Sequence, residues 1–222
     1  VNGFHFITMP SSHGCEYEQD KVDFARKALL EAREKDPKKP IFFFQHPHLT
    51  DTVSGSIYWA DEAFIPTLMD FPQVIDFSGH SHYSPSDPRN VWQGEFTAIG
   101  CGSLKALMGN LNYIEGDVDA PGESAAAWVV EVDKDGNVSL KLYDAENRMF
   151  FENIDYYFTN LSNPKERTYT WGKQKSLDTK PEFPENASVK NTVNENLYNV
   201  RPKVSIFFNT WTIGKKYMRF LS

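Results

Sequence analysis

Two short histidine groups stand out in the chain: Gln45-His46-Pro47-His48 and Gly79-His80-Ser81-His82. Imidazole nitrogen is a good ligand for zinc, iron or manganese. Each group directly follows a continuous apolar run, Ile41-Phe42-Phe43-Phe44 in the first case and Val74-Ile75-Asp76-Phe77 in the second. Runs of this kind, short and without polar alternation, read as strands buried on both faces, as in a parallel sheet. Open α/β sheets place their ligand sites off the carboxyl ends of such strands, so the two groups are expected to meet in one crevice. His80 and His82 share a side if the backbone there is extended, and Gly79 allows a tight turn and close approach of an ion. A single His-x-His is frequent by chance, but two histidine groups at two neighbouring strand ends favour a metal site. His48 faces either that site or solvent. His5 reads as a strand or core residue and His13 as a loop residue.

The elements that must position these groups are legible around them. Residues 1–9 read as a buried strand that stops at Pro10. Over residues 20–35, Val22, Ala25, Leu29 and Ala32 recur at helical spacing, with Lys21, Arg26, Lys27, Glu31 and Glu34 on the other faces. That helix ends at Asp36, because the residue before a proline avoids the helical region. A second helix is expected over residues 61–69 with Asp61 as its cap. The alternation of strand and helix indicates an α/β layer with parallel pairing. Beyond residue 90 the helical signal fades. Residues 95–99, 126–132 and 138–143 read as strands, the last two joined by a hairpin turn over 133–137. Residues 160–199 are polar and rich in proline and asparagine, an extended connector or wrapping arm, and 204–211 reads as a final strand.

Composition narrows the function classes. The 222 residues carry 23 basic and 30 acidic side chains, a net charge of −7, and 40% of them are hydrophobic. A mean hydropathy of −0.51 and the lack of any apolar run near the roughly 18 residues of a membrane span argue against a transmembrane chain. Without clustered Lys and Arg, a nucleic-acid scaffold is excluded as the main partner. Two cysteines, Cys15 and Cys101, are too few for a disulfide framework.

The stretch from Lys39 through Gln45-His46-Pro47, then Val74-Ile-Asp-Phe-Ser-Gly-His80-Ser-His82, then Phe96-Thr-Ala-Ile-Gly100-Cys-Gly-Ser103 resembles the C-terminal half of a calcineurin-like metallophosphoesterase. The resemblance covers residues 1–145. It implies an α/β fold: the C-terminal half of a two-sheet sandwich flanked by helices, with a β-rich C-terminal tail. It divides the chain into a catalytic-domain portion, residues 1–150, and a connector with the tail, residues 151–222. It also implies two divalent or trivalent transition-metal ions (zinc, manganese or iron), with His46 and His80 on one ion and His82 on the other. A phosphomonoester or phosphodiester would be the substrate, attacked by a hydroxide held between the ions.

The family's upstream motifs, Asp-x-His, Gly-Asp and Gly-Asn-His with a following acid, are absent from these residues, and the general acid with them. Gly109-Asn110 and Gly116-Asp117 lie downstream of His82 and read as turns. Two expectations follow: the missing N-terminal half of the same protein supplies the other ligands, or the chain is a degenerate relative that binds without catalysing. The start at Val1, within what reads as an internal strand, favours the first. Family members with β-rich tails are often exported, which points to an extracellular or cell-surface location. Nearer the motif, Asp76 either orients a histidine or is a buried or capping acid, Arg89 is placed where it can meet a phosphate, and Ser103 reads as a turn residue near the site.

Overall fold

The computed structural model describes residues 1–11, 14–105, 107, 125–169, 189–191 and 204–206. The chain divides into two compact units, residues 1–175 and 176–222. Residues 150 and 151 both lie inside one strand, so the first unit runs on past that point.

In the first unit, β1 (His5–Thr8) leads into helix α1 (Gln19–Lys35) and then β2 (Ile41–Phe44). Next come the two-residue strands β3 (His48–Leu49) and β4 (Ala60–Asp61), the single-turn helix α2 (Ile65–Leu68), and β5 (Val74–Ser78). Strands β6 (Val91–Gln93) and β7 (Thr97–Gly100) complete a five-stranded sheet of order β1-β2-β5-β7-β6. Its first four strands are parallel and β6 is antiparallel at the edge. Strands β8 (Ala126–Val132), β9 (Val138–Asp144) and β10 (Met149–Phe158) form an antiparallel meander. In the described residues of the second unit, β11 (Val189–Asn191) pairs antiparallel with β12 (Val204–Ile206).

The expected α/β layering holds, and alternation along the strands explains it. Ile41, Phe43, Val74 and Ala98 face the helix layer and join Ala25, Leu29 and Ala32 of α1 in one apolar cluster. Phe42, Ile75, Phe77 and Ile99 face the other way and pack on Val138, Leu140 and Phe158 of the meander. Successive side chains of a strand point to opposite faces, so a sheet covered on both sides needs the unbroken apolar runs seen in β2 and β5. Helix α1 stops where proline dictates, with the Asp36 amide donating to the Ala32 carbonyl. Arg33 ties it to the turn before β5 by donating to the Asp70 carbonyl and lying 4.4 Å over the Phe71 ring.

Three expectations change. Among the described residues β1 is an edge strand with a partner on one side only, and Phe6 is half exposed. The helix expected over 61–69 shrinks to one turn. Asp61 pairs with Leu49 instead, and its carboxylate accepts from the Ala63 amide, so tertiary pairing overrides local helical spacing. β10 was not expected. The polar stretch after it behaves as a wrapping arm over its described part: the buried Arg167 guanidinium donates to the carbonyls of Pro72, Gly94 and Glu95, and the Gln93 amide donates to the Tyr169 carbonyl. Later in 160–199, residues 189–191 form β11, a short strand inside the expected connector; residues 170–188 and 192–199 of that stretch, His13, and the turns at 109–110 and 116–117 lie outside the described residues. Among the described residues, no helix is long and apolar enough to cross a membrane.

Candidate functional site

The parallel ladder continues for one step beyond the strands. The Met9 amide donates to the Phe44 carbonyl, Gln45 to Phe77, Gly79 to His46, and Cys101 to Ser78. Four carboxyl ends are thereby held side by side, and the histidine groups meet there as the sequence implies. His80 Nδ1 and His46 Nε2 are 2.9 Å apart, with the rings edge to face. His80 Nε2 lies 3.2 Å from the Cys15 thiol, and the Trp59 ring stands edge to face against His80 with centroids 5.1 Å apart. The His46 amide donates to the Tyr17 hydroxyl at 3.1 Å, and burial raises that phenol to about 12.

The turn bearing His80 is unusual. His80 and His82 both have left-handed backbone, φ 66° and 56°. Their side chains are therefore not on one side of an extended segment, which corrects the expectation from i and i+2 spacing. For residues other than glycine this conformation costs on the order of 1 kcal/mol each and persists only where surrounding structure enforces it. Gly79, by contrast, is not left-handed, and a Cβ there would meet only the His46 carbonyl oxygen, at 3.9 Å. It leaves space above His46 rather than making the turn.

His48 is what enforces the turn. It faces neither solvent nor the other histidines: it is buried, with Nδ1 2.9 Å from the Ser78 hydroxyl and Nε2 2.7 Å from the Ser81 hydroxyl. One imidazole thus bridges the two residues that flank Gly79 and His80. Burial, then the neighbouring His80 and His46, push its pKa down to about 3, so it is neutral and donates through one nitrogen while accepting through the other. His80 is also held below the usual imidazole range, by burial first and then by His46 and His82. The neutral ring is the form that binds a metal.

Two nitrogen ligands at about 2.1 Å lie about 3.4 Å apart on a tetrahedral ion and about 3.0 Å apart at the right angle of an octahedral one. The 2.9 Å between His46 and His80 is a hydrogen bond between the rings, close to the octahedral spacing. In the tautomer with the proton on Nε2, His80 donates to the Cys15 sulfur and keeps the Nδ1 lone pair; a hydrogen bond of this kind would fix the tautomer of a metal-binding histidine. The Cys15 thiol is raised by burial, then by Asp61 and Glu16, so it stays a thiol. Among the described residues, however, no group of three or more His, Cys, Asp or Glu comes together as an ion site. His46 and His80 meet as a pair, without a third such donor beside them among the described residues.

Three nearby residues settle into other roles. Asp76 is fully buried, accepts from Gln45 Nε2 at 3.3 Å rather than from a histidine, and leaves Oδ1 without a partner among the described residues. The Arg89 guanidinium is forked onto the Asp87 carboxylate, so it is engaged locally instead of offered to a phosphate. Ser103 accepts from the Lys105 amide, beside left-handed Gly102, as expected of a turn. Cys15 and Cys101 are both free thiols.

No family profile matches the chain, and no curated protein matches it. Among solved structures, a dimetal phosphatase from Danio rerio is similar at 14% identity with a TM-score of 0.43, over 65% of this chain. The chain spans 38% of the length of that protein.

Proposed function

We propose that the chain is the histidine-bearing part of a metal-dependent phosphoric ester hydrolase, acting on a phosphomonoester or phosphodiester. The observation that carries this reading is the His46 Nε2–His80 Nδ1 pair, 2.9 Å apart at the carboxyl ends of adjacent parallel strands. His46 and His80 would hold one ion and His82, next to them in the same turn, a second; zinc, manganese and iron all suit imidazole. Bound ions would supply charge stabilisation and an activated water for in-line displacement at phosphorus. The chain's own contribution is positional: Tyr17 fixes the His46 backbone, Cys15 the His80 tautomer, and His48 the turn. Carboxylates bridging the ions would come from residues beyond those described.

A second reading, a binding protein on the same scaffold without hydrolysis, is favoured by the lack of a third donor beside the pair among the described residues. Activity separates the two. Expressed within its complete reading frame, the protein is expected to hydrolyse 4-nitrophenyl phosphate, lose that activity on dialysis against a chelator, and regain it with zinc or manganese. A metal-loaded protein without turnover on either a monoester or a diester supports the second reading.

A further inference from the structure

The loop between β3 and β4 carries three consecutive large apolar residues that face solvent: Ile57, Tyr58 and Trp59 are 79%, 61% and 42% exposed. Consecutive exposed apolar residues cost solubility and mark a functional surface when they persist. This loop is also held firmly. The Tyr58 and Trp59 amides both donate to the Gly55 carbonyl, and the Trp59 carbonyl accepts from the His48 amide at 3.0 Å. Ser54 donates to the Arg89 carbonyl, and the Thr52 amide to the Ser56 hydroxyl. Gly55, at φ 88°, lies so close to the histidine turn that an added Cβ would sit 2.9 Å from Ser81 Cβ and 3.0 Å from the Tyr83 ring. The loop is therefore locked against the segment that carries His80, and its exposed aromatic tip is preorganised. Preorganised aromatic surface binds at low entropic cost.

The direction of the tip decides its occupant. Trp59 stands edge to face against His80 with centroids 5.1 Å apart, so a group attached to a phosphate held at the histidines lies within reach of the indole. We propose that Trp59 is the wall of a subsite for a planar aromatic group, an aryl ring or a nucleobase, attached to the phosphate. This rests on the hydrolase reading for the phosphate's position. The contact is stacking on an indole, which tolerates any flat ring.

Phenylphosphonate and methylphosphonate carry the same anionic head and differ in the ring, and neither is hydrolysed. By calorimetric titration of the metal-loaded full-length protein, phenylphosphonate is expected to bind about tenfold more tightly. Trp59→Ala should bring the ratio near unity and Trp59→Phe should keep most of it. Loss confined to KM for phenyl phosphate, with glycerol phosphate unaffected, is the kinetic counterpart; a nucleoside monophosphate tells whether a base reaches the same wall. An unchanged ratio in Trp59→Ala, or no preference in the wild type because other residues of the chain cover the loop, overturns the proposal. If the ratio collapses as expected while no ester is turned over, the subsite stands and the hydrolase reading falls.

Discussion

If the proposed metal site holds, His80→Ala and His46→Ala are each expected to lower the affinity of the full-length protein for a transition-metal ion by at least about a hundredfold, since loss of a direct ligand exceeds the 10–100-fold cost of losing an outer partner. His46 is exposed, so its truncation leaves the core intact. His80 needs a control, because its backbone is left-handed. Asparagine tolerates that conformation better than most residues, so His80→Asn keeps the turn and removes the imidazole; it too is expected to lose the ion. Cys15→Ala should weaken binding by about tenfold through the freed His80 tautomer. Competition with a zinc-sensitive dye measures all four. Wild-type affinity in both His46→Ala and His80→Asn would end the metal assignment.

The second large effect concerns Asp76. Burial raises this carboxyl to about 8, opposed only in part by the Gln45 amide. In the folded chain it is protonated through neutrality, whereas in the unfolded chain it ionises near the ordinary carboxylate value. The folded state therefore holds the extra proton, and stability falls as pH rises from about 4 to about 8, on the order of 1 kcal/mol per pH unit, before levelling off. His48 works in the opposite direction. Its pKa is lowered to about 3, so the stability it gives is present above the ordinary imidazole value and is lost as pH falls from there. Asp76→Asn removes the ionisation, and its new amide N–H has an acceptor at hand in the unpartnered Gln45 Oε1. The variant is expected to unfold at a higher urea concentration than wild type at pH 8, with a smaller gain at pH 6. An equal shift at the two pH values would show that the Asp76 charge is not the cause.

Much of this was legible beforehand because the decisive signals were local. The apolar runs ending at Phe44 and Phe77 placed His46 and His80 on adjacent strand ends, and helix α1 differs from its expected span by one residue. What escaped the sequence depends on contacts between distant segments. Asp61 looked like a helix cap until β3 drew it into a ladder. The His-x-His spacing suggested a shared face, but both histidines are left-handed, and for His80 the Ser78–His48–Ser81 bridge that closes around it supplies the reason. Cys15 and Tyr17 reach the site from the loop between β1 and α1 and Trp59 from the loop between β3 and β4, and no spacing rule links them to His80. β10 escaped because it has no clean period of two: aromatic residues stand side by side in Met-Phe-Phe-Glu-Asn-Ile-Asp-Tyr-Tyr-Phe, and its pairing with β9 shifts register between Phe150 and Asp155.

The central claim is that the His46–His80 contact is a ligand pair. A crystal of the full-length protein soaked in manganese or zinc, with anomalous diffraction collected at the metal's absorption edge, tests it most directly. The account predicts an anomalous peak about 2.1 Å from both His46 Nε2 and His80 Nδ1. A map with the two rings still hydrogen-bonded to each other and no peak between them and solvent would contradict it.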